Sequence, residues 1–391
     1  MSNVSSLSSV RPKVLEFFAG IGLARIGLES AGFNVAWSND FEADKKAMYE
    51  AHFKDTASGN DHTFALGDVG EVRVGDLPKG SSVAWASSPC TDLSLAGGRA
   101  GLAGKSSGTF WQFIRLLEEL GDDRPEVVVL ENVTGLATSH GGDDLTAAIR
   151  AFNGLGYSVD VLALDARRFV PQSRPRMFLV GALNPPENAV TPNSELRPDW
   201  LQWIYGDDTL LTHKATLPLP PAPLTSGLGK VIEEMSLDDE RWWDEERTDL
   251  FTKSLSAVQD ERVVAMKRST GVKYRTAYRR TRNGVPVWEV RPDDVSGCLR
   301  TARGGSSKQA VVRVGNKRLQ VRWMTPREYA RLMGADDYDL TTTRTNQALF
   351  GFGDAVAVPA VAWLAKHYLM PMITGVMKPA AVESETVAAN G

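Results

Sequence analysis

The 391-residue chain carries 42% hydrophobic and 24% charged side chains and a formal net charge of −4 at pH 7. That is enough apolar material for a sizeable core, in two domains or in one large domain with an insertion. Two cysteines, Cys90 and Cys298, exclude a disulfide scaffold and a cysteine metal cluster, and the best apolar run, 356–364, is too short to span a bilayer and contains Pro359.

This cysteine usage fits a reducing, cytoplasmic compartment. Residues 1–12 are Ser-rich without the apolar centre of a signal peptide, and are read as a flexible N-terminus. The run 14–18 predicts a buried strand. It enters Ala19-Gly20-Ile21-Gly22-Leu23 and then a helix over 24–30. Strand, Gly-rich turn and helix open a nucleotide-type βαβ unit. The next strand, 34–39, ends in Asp40, an acid about twenty residues beyond the turn, where a ribose hydroxyl would be accepted. The six-residue phosphate fingerprint is incomplete, which favours a ribose-bearing ligand without a pyrophosphate. The Gly turn and Asp40 alone would also suit a nicotinamide dehydrogenase.

Further alternation follows. A helix is expected over 41–53, a strand over 64–66 ending at Gly67-Asp68, and a strand over 83–86 leading to Pro89-Cys90. Phe110, Phe113, Ile114 and Leu117 have helical spacing. Val127-Val128-Val129-Leu130 reads as a buried parallel strand ending in Glu131-Asn132. A helix over 144–153, a strand over 157–164, a polar turn over 169–176 and a strand over 177–181 complete the pattern. The expected fold is α/β, a doubly wound Rossmann-like sheet whose ligands sit outside the carboxyl ends of the strands. Asp40, Asp68, Cys90 and Glu131 should converge there.

Residues 13–183 are therefore assigned to a catalytic and cofactor-binding domain. A Pro-rich linker opens a second region, 184–322, in which the α/β rhythm stops. Lys267, Arg268, Lys273, Arg275, Arg279 and Arg280 lie there without intervening acids, interleaved with Tyr274 and Tyr278. A second basic run contains Arg300, Arg303, Lys308, Arg313, Lys317, Arg318 and Arg322. Together they suggest a polyanion surface. Thr325-Pro326-Arg327-Glu328 is a capping-box helix start. It opens a segment, 323–376, returning to the first domain through a Gly-punctuated turn at 350–356 and a last helix over 359–368. Residues 377–391 read as a flexible tail.

A thiol, an acid and two arginines at successive strand ends suit attack on an electron-poor ring such as cytosine. Addition of Cys90 at C6 makes C5 nucleophilic, Glu131 bonds N3 and the exocyclic amine, and Arg174 and Arg176 bind the ring carbonyl. In this order the motifs resemble the DNA (cytosine-5)-methyltransferases over nearly the whole chain. The matches are Phe18-Ala19-Gly20-Ile21-Gly22-Leu23, Asp40-Phe41, Gly67-Asp68-Val69, Pro89-Cys90, Glu131-Asn132-Val133, Gln172-Ser173-Arg174-Pro175-Arg176 and Arg327-Glu328-Tyr329-Ala330-Arg331-Leu332.

The resemblance implies S-adenosylmethionine as cofactor and duplex DNA as substrate, with the target cytosine flipped out. It also implies a smaller inserted target-recognition domain. Asp40 would bind the ribose, Phe41 the adenine face and Asp68 the adenine amine. Phe18, Ala19, Gly20, Ile21, Gly22 and Leu23 would hold the methionine end, and Val69, Pro89, Phe110, Asp354, Ala355 and Val356 would complete the pocket. Thr91 and Ser94 would face DNA from a closing loop. Arg300, Arg303, Gly304 and Gly305 are expected on the base-reading surface, a structural β-turn being the alternative for that stretch. A monomer, part of a restriction-modification system with a cognate endonuclease, is the expected setting. A transfer-RNA methyltransferase and a non-catalytic DNA-binding relative are the alternatives. Two residues depart from the family pattern. Thr91 stands where Gln is usual. Asp354 stands where Asn is usual, adding an anion near the cofactor that would weaken binding, meet a neighbouring cation, alter the cofactor or simply be a tolerated swap.

Overall fold

Seven short β-rich runs pair into one sheet in the computed structural model, which describes residues 11–54, 62–88, 108–190, 194–282, 284–300 and 308–377. The first half alternates β1 (Lys13–Phe17), α1 (Leu23–Ser30), β2 (Asn34–Asp40), α2 (Ala43–Phe53), β3 (Thr63–Leu66), β4 (Ser81–Ser87) and α3 (Thr109–Glu119). It continues with β5 (Val127–Val133), α4 (Asp143–Gly154), β6 (Ser158–Asp165) and β7 (Pro175–Ala182). The strand order is β3-β2-β1-β4-β5-β7-β6.

Both faces of this sheet are covered, so its strands alternate between two apolar layers. Val14, Val83, Trp85, Val127 and Val129 point into a layer with α1 and the C-terminal helices. Leu15, Phe17, Ala84, Ala86, Val128 and Leu130 point into a layer with α3 and α4. Strand β7 is antiparallel to both neighbours. A parallel return needs a crossover of a dozen or more residues, and only 166–174 separate β6 from β7. The polar turn expected over 169–176 thus ends one residue before Pro175, and Arg176 sits within the strand.

The region from 184 does not leave the sheet at once, as a linker would. The Val159 N–H donates to Leu211 O and the Ala163 N–H to Leu196 O, so this segment lines the β6 edge. Arg197 forms a fully buried pair with Asp160, which also accepts from the Tyr205 and Tyr368 hydroxyls. The second region proper has α5 (Leu228–Val231), α6 (Glu245–Lys253) and α7 (Ala257–Arg268). Its antiparallel sheet contains β8 (Lys273–Arg282), β9 (Val285–Val290), β10 (Ala310–Gly315) and β11 (Arg318–Trp323), in the order β11-β10-β8-β9. Its own core gathers Phe251, Val263, Trp288, Val312 and Val321.

The chain then returns through α8 (Pro326–Leu332), α9 (Thr345–Asp354) and α10 (Val358–Leu364), a π-helical turn (Ala365–Leu369) and α11 (Met370–Ile373). Helix α8 has the expected capping box between Thr325 and Glu328. The Gly-punctuated stretch at 350–354 is helical, contrary to the expected turn. Gly351 serves close packing there: a Cβ would stand 2.7 Å from Ile21 Cγ2. Gly27 likewise lets α1 meet α10, since its Cβ would stand 2.7 Å from Val361 Cβ. The helical stretch Thr345–Ile373 is long and apolar enough to cross a membrane, yet its most apolar window is 72% buried inside the protein.

Candidate active site

The carboxyl ends of β1, β2, β4 and β5 open into a crevice. Its walls include Phe18, Ala19, Gly20, Leu23, Asp40, Phe41, Ser87, Ser88, Glu131, Asn132, Val133, Arg176, Asp354, Ala355 and Val356. The turn after β1 is tight: Phe18, Gly20 and Gly22 have φ of +57°, +58° and +81°. A left-handed phenylalanine is strained, and such residues persist where surrounding contacts fix them. Here Asp40 does part of the fixing. Its two oxygens accept from the N–H groups of Gly20 and Glu42, each at 2.9 Å. Each oxygen keeps a second lone pair for a ligand hydroxyl. Phe41, 60% exposed, offers an aromatic face beside it.

Below the turn lies Glu16, fully buried in β1. It accepts from the Arg25 N–H near the start of α1 (3.1 Å) and from the Ser38 hydroxyl (2.7 Å). Burial pushes its carboxyl up to about 7, outweighing Ser38 and Arg25, which act to lower it.

Several expected pocket residues stand behind the wall. Ile21 and Phe110 are completely buried in the two apolar layers, and Val69 is 3% exposed. Gly22 precedes α1, and a Cβ there would strike Phe53 and Tyr49 at 2.5 and 2.7 Å. These residues shape the pocket from within. Asp68 is exposed and accepts from the Gly70 N–H at 2.8 Å, capping a short 3-10 turn. Pro89, Cys90, Thr91, Ser94, Arg303, Gly304 and Gly305 lie outside the described residues, as do the expected flexible N-terminus apart from residues 11 and 12 and all of the tail beyond residue 377.

Ser87 and Glu131 are register partners across β4 and β5. Glu131 Oε1 is 2.9 Å from Arg176 Nε, with both side chains largely shielded from solvent. Asn132 Nδ2 donates to Ser88 O at 3.4 Å, and its Oδ1 accepts from the Val133 N–H. The acid, the arginine and the backbone two residues before Cys90 therefore meet at one end of the crevice.

Arg174 takes a different position from the one expected. Its guanidinium, buried to 1% exposure, does not line the crevice. Nη1 donates to Leu299 O and Nη2 to Gly353 O, at 2.9 and 3.1 Å, and Nη2 also to Ala355 O. The short, β6-linked turn makes this possible by burying Arg174 while β7 carries Arg176 to the crevice. Gln172 acts nearby, donating to Leu332 O and accepting from the Leu299 N–H.

Lys45 was not singled out by sequence. It is 8% exposed, and its Nζ lies 3.0 Å from Asp354 Oδ2 and 3.8 Å from Glu42 Oε1. Burial acts to lower its pKa, yet the carboxylates of Asp40, Asp354 and Glu42 hold it above the ordinary lysine value. It is the neighbouring cation that Asp354 would need. Nothing in local sequence joins residues 45 and 354; only the return of α9 onto α2 does.

A second cleft runs between the 173–175 turn and the smaller sheet. It is lined by Tyr278, Arg279, Arg280, Arg291, Cys298, Arg300 and Gln309, among others. Arg280 and Arg291 have acidic partners in Glu289 and Asp293. Arg279 and Arg300 form no ion pair among the described residues, although Arg279 lies over the Trp288 ring. The Cys298 thiol accepts from Arg174 at 3.2 Å. Burial acts to raise its pKa, but Arg174, Arg176 and Arg300 together bring it below the usual thiol value.

The fold is shared with known methyltransferases. The chain is 24% identical to the Type II methyltransferase M.Bsp6I of Bacillus sp. (strain RFL6), over 92% of this chain and 99% of that protein. It is 30% identical to M.HaeII of Haemophilus aegyptius over a shorter stretch, 44% of this chain and 51% of the relative. Among solved structures, S. pombe Dnmt2 methyltransferase superposes with a TM-score of 0.57 at 16% identity, covering 93% of this chain and 99% of that one. The Entamoeba histolytica methyltransferase EhMeth gives 0.58 at 14% identity, covering 94% and 99%. A model of the C-5 cytosine-specific DNA methylases matches residues 12–369, and the chain belongs to that family.

Proposed function

We propose that the chain transfers a methyl group from S-adenosylmethionine to C5 of a cytosine flipped out of duplex DNA. The observation that carries this reading is the Glu131–Arg176 pair beside Ser88, at the crevice end from which the chain runs on to Cys90. The donor set fits the cofactor: an exposed aromatic at Phe41, an acid at Asp40 with lone pairs to accept a ribose hydroxyl, and a turn narrow enough for close backbone approach. The bound cofactor supplies an electrophilic methyl group.

The protein's own residues do the rest. The Cys90 thiolate adds to C6, and the C5–C6 π electrons become available at C5. Glu131 holds the exocyclic amine and the N3 edge, where charge accumulates, while Arg176 orients Glu131 and reaches the ring carbonyl. After transfer a base removes the C5 proton, the C5–C6 bond reforms and the Cys90–C6 bond breaks. Lys45 holds Asp354 on the cofactor wall, so the anion that Asp adds in place of Asn has a cation beside it. The basic cleft with Arg300 offers cations to the duplex, and Thr91, Ser94, Arg303, Gly304 and Gly305 would extend that surface.

The setting that goes with this reading is a bacterial, cytoplasmic, nucleoid-associated monomer with a companion endonuclease; the relatives named above are Type II methyltransferases of bacteria. Labelled methyl incorporation into DNA tests the reading. Cys90→Ala should abolish transfer, and DNA containing 5-fluorocytosine should trap a Cys90-dependent adduct, because fluorine does not leave as a proton. Transfer at the wild-type rate by Cys90→Ala would overturn the mechanism. Bisulfite sequencing of DNA from expressing cells would report the target.

A further inference from the structure

Arg174 touches both regions of the molecule at once. One end of its fork holds Leu299 O, on the segment that continues into the Arg300 surface of the basic cleft. The other holds Gly353 O and Ala355 O, which flank Asp354 on the cofactor wall. Asp354 in turn grips Lys45, which stands against Glu42 and under the charge of Asp40. A guanidinium is planar and rigid, so its two ends cannot shift independently. If residue 299 moves, a buried carbonyl at 353 or 355 loses a charged donor, and an unmet buried acceptor is costly.

We propose that Arg174 is a positioning residue that couples DNA seating on residues 298–300 to the placement of the cofactor wall at 353–356. The segment around Leu299 is itself laced to the same turn. Ser173 N–H donates to Ser296 O, Ser296 N–H donates to Pro171 O, and Gln172 accepts from the Leu299 N–H. DNA that presses on Arg300 therefore pulls on a segment whose next residue is held by Arg174. Thermodynamic linkage makes the effect reciprocal: bound cofactor product strengthens DNA binding by the factor by which DNA strengthens product binding.

The proposal rests on the S-adenosylmethionine reading, and its test separates the two. DNA affinity is measured on amplified genomic DNA, which carries no methylated bases, with and without S-adenosylhomocysteine. The wild-type ratio should be about tenfold, within the usual range for coupled sites. Arg174→Lys keeps the charge but loses the fork, and its ratio should fall to within about twofold of one. Asp354→Asn keeps both gripped carbonyls but breaks the Lys45 pair, and should give an intermediate ratio. A full wild-type ratio in Arg174→Lys, or a wild-type ratio of one despite measurable product binding, would overturn the coupling. Absence of product binding to the wild-type protein would instead remove the cofactor reading. Amide hydrogen exchange then decides the coupling without cofactor. DNA alone should slow exchange at 353–356 at least about threefold in the wild-type protein, and no slowing overturns the proposal.

Discussion

In the crevice, Glu131 meets Arg176 and Lys45 meets Asp354, whereas in the neighbouring cleft Arg279 and Arg300 meet no carboxylate among the described residues. Between residues 273 and 300 seven basic residues face three acids, Glu289, Asp293 and Asp294. A site for chemistry must fix its charged groups before the substrate arrives, and paired groups stay where they are put. A site for a polyanion gains by leaving cations for the incoming phosphates, which release counterions as they bind. One chain thus keeps a pocket whose cations are paired beside a surface that leaves two of its cations unpaired among the described residues, and the two should fail differently.

The largest failure is expected in the crevice. Glu131→Gln keeps the shape but removes the charge that pairs with Arg176, and single-turnover methyl transfer should fall about 10²–10⁴-fold. DNA affinity measured by anisotropy should stay within about threefold; a parallel collapse of binding would erase the contrast. Arg279→Gln is the converse. It should weaken DNA binding and reduce the slope of log affinity against log salt by about 1, while the transfer rate at saturating DNA holds. An unchanged slope would place Arg279 off the duplex path.

Smaller effects concern the floor of the crevice. Glu16 has a folded pKa of about 7 against an ordinary 4.5, so the folded state takes up its proton more readily than the unfolded state. Its contribution is fully present below pH 4.5 and is lost as pH rises through 7. The loss is on the order of 3 kcal/mol at about 1.36 kcal/mol per unit. Glu16→Gln should flatten that part of the stability profile in denaturant titrations, so that the gap between variant and wild type changes from pH 4.5 to 7. A constant gap would contradict the assignment. Gly351→Ala should cost about 1–3 kcal/mol by overpacking Ile21, read as a lower Tm with unchanged salt dependence of DNA binding.

Much of this was legible in advance where the signal is local. The apolar runs, the strand-end acids and the capping box at Thr325 each express a short-range rule, and the sheet, Asp40, Glu131 and α8 follow it. The roles that escaped depend on distant partners. The spacing of Gln172, Arg174 and Arg176 cannot say that Arg174 turns to Gly353 and Ala355 while Arg176 turns to Glu131. Lys45 looks like any helix lysine until α9 brings Asp354 to it. The glycines of 350–354 imitate a turn because sequence does not distinguish a glycine needed for its φ from one needed for its missing Cβ. The stretch that opens at residue 184 reads as a linker because a Pro-rich composition does not reveal the buried Arg197–Asp160 pair that docks it.

The contact of Gly27 with Val361 carries one more consequence. Helix α1 leaves the ribosome long before α10, which covers it. The wall formed by Asp354, Ala355 and Val356 arrives with that same late segment. A nascent chain can assemble its early strands yet holds neither a sealed α1 nor a complete crevice until α9 and α10 have been made. Chains truncated before residue 326 should expose apolar surface and bind no cofactor product, so that only molecules that have completed this return can mark DNA.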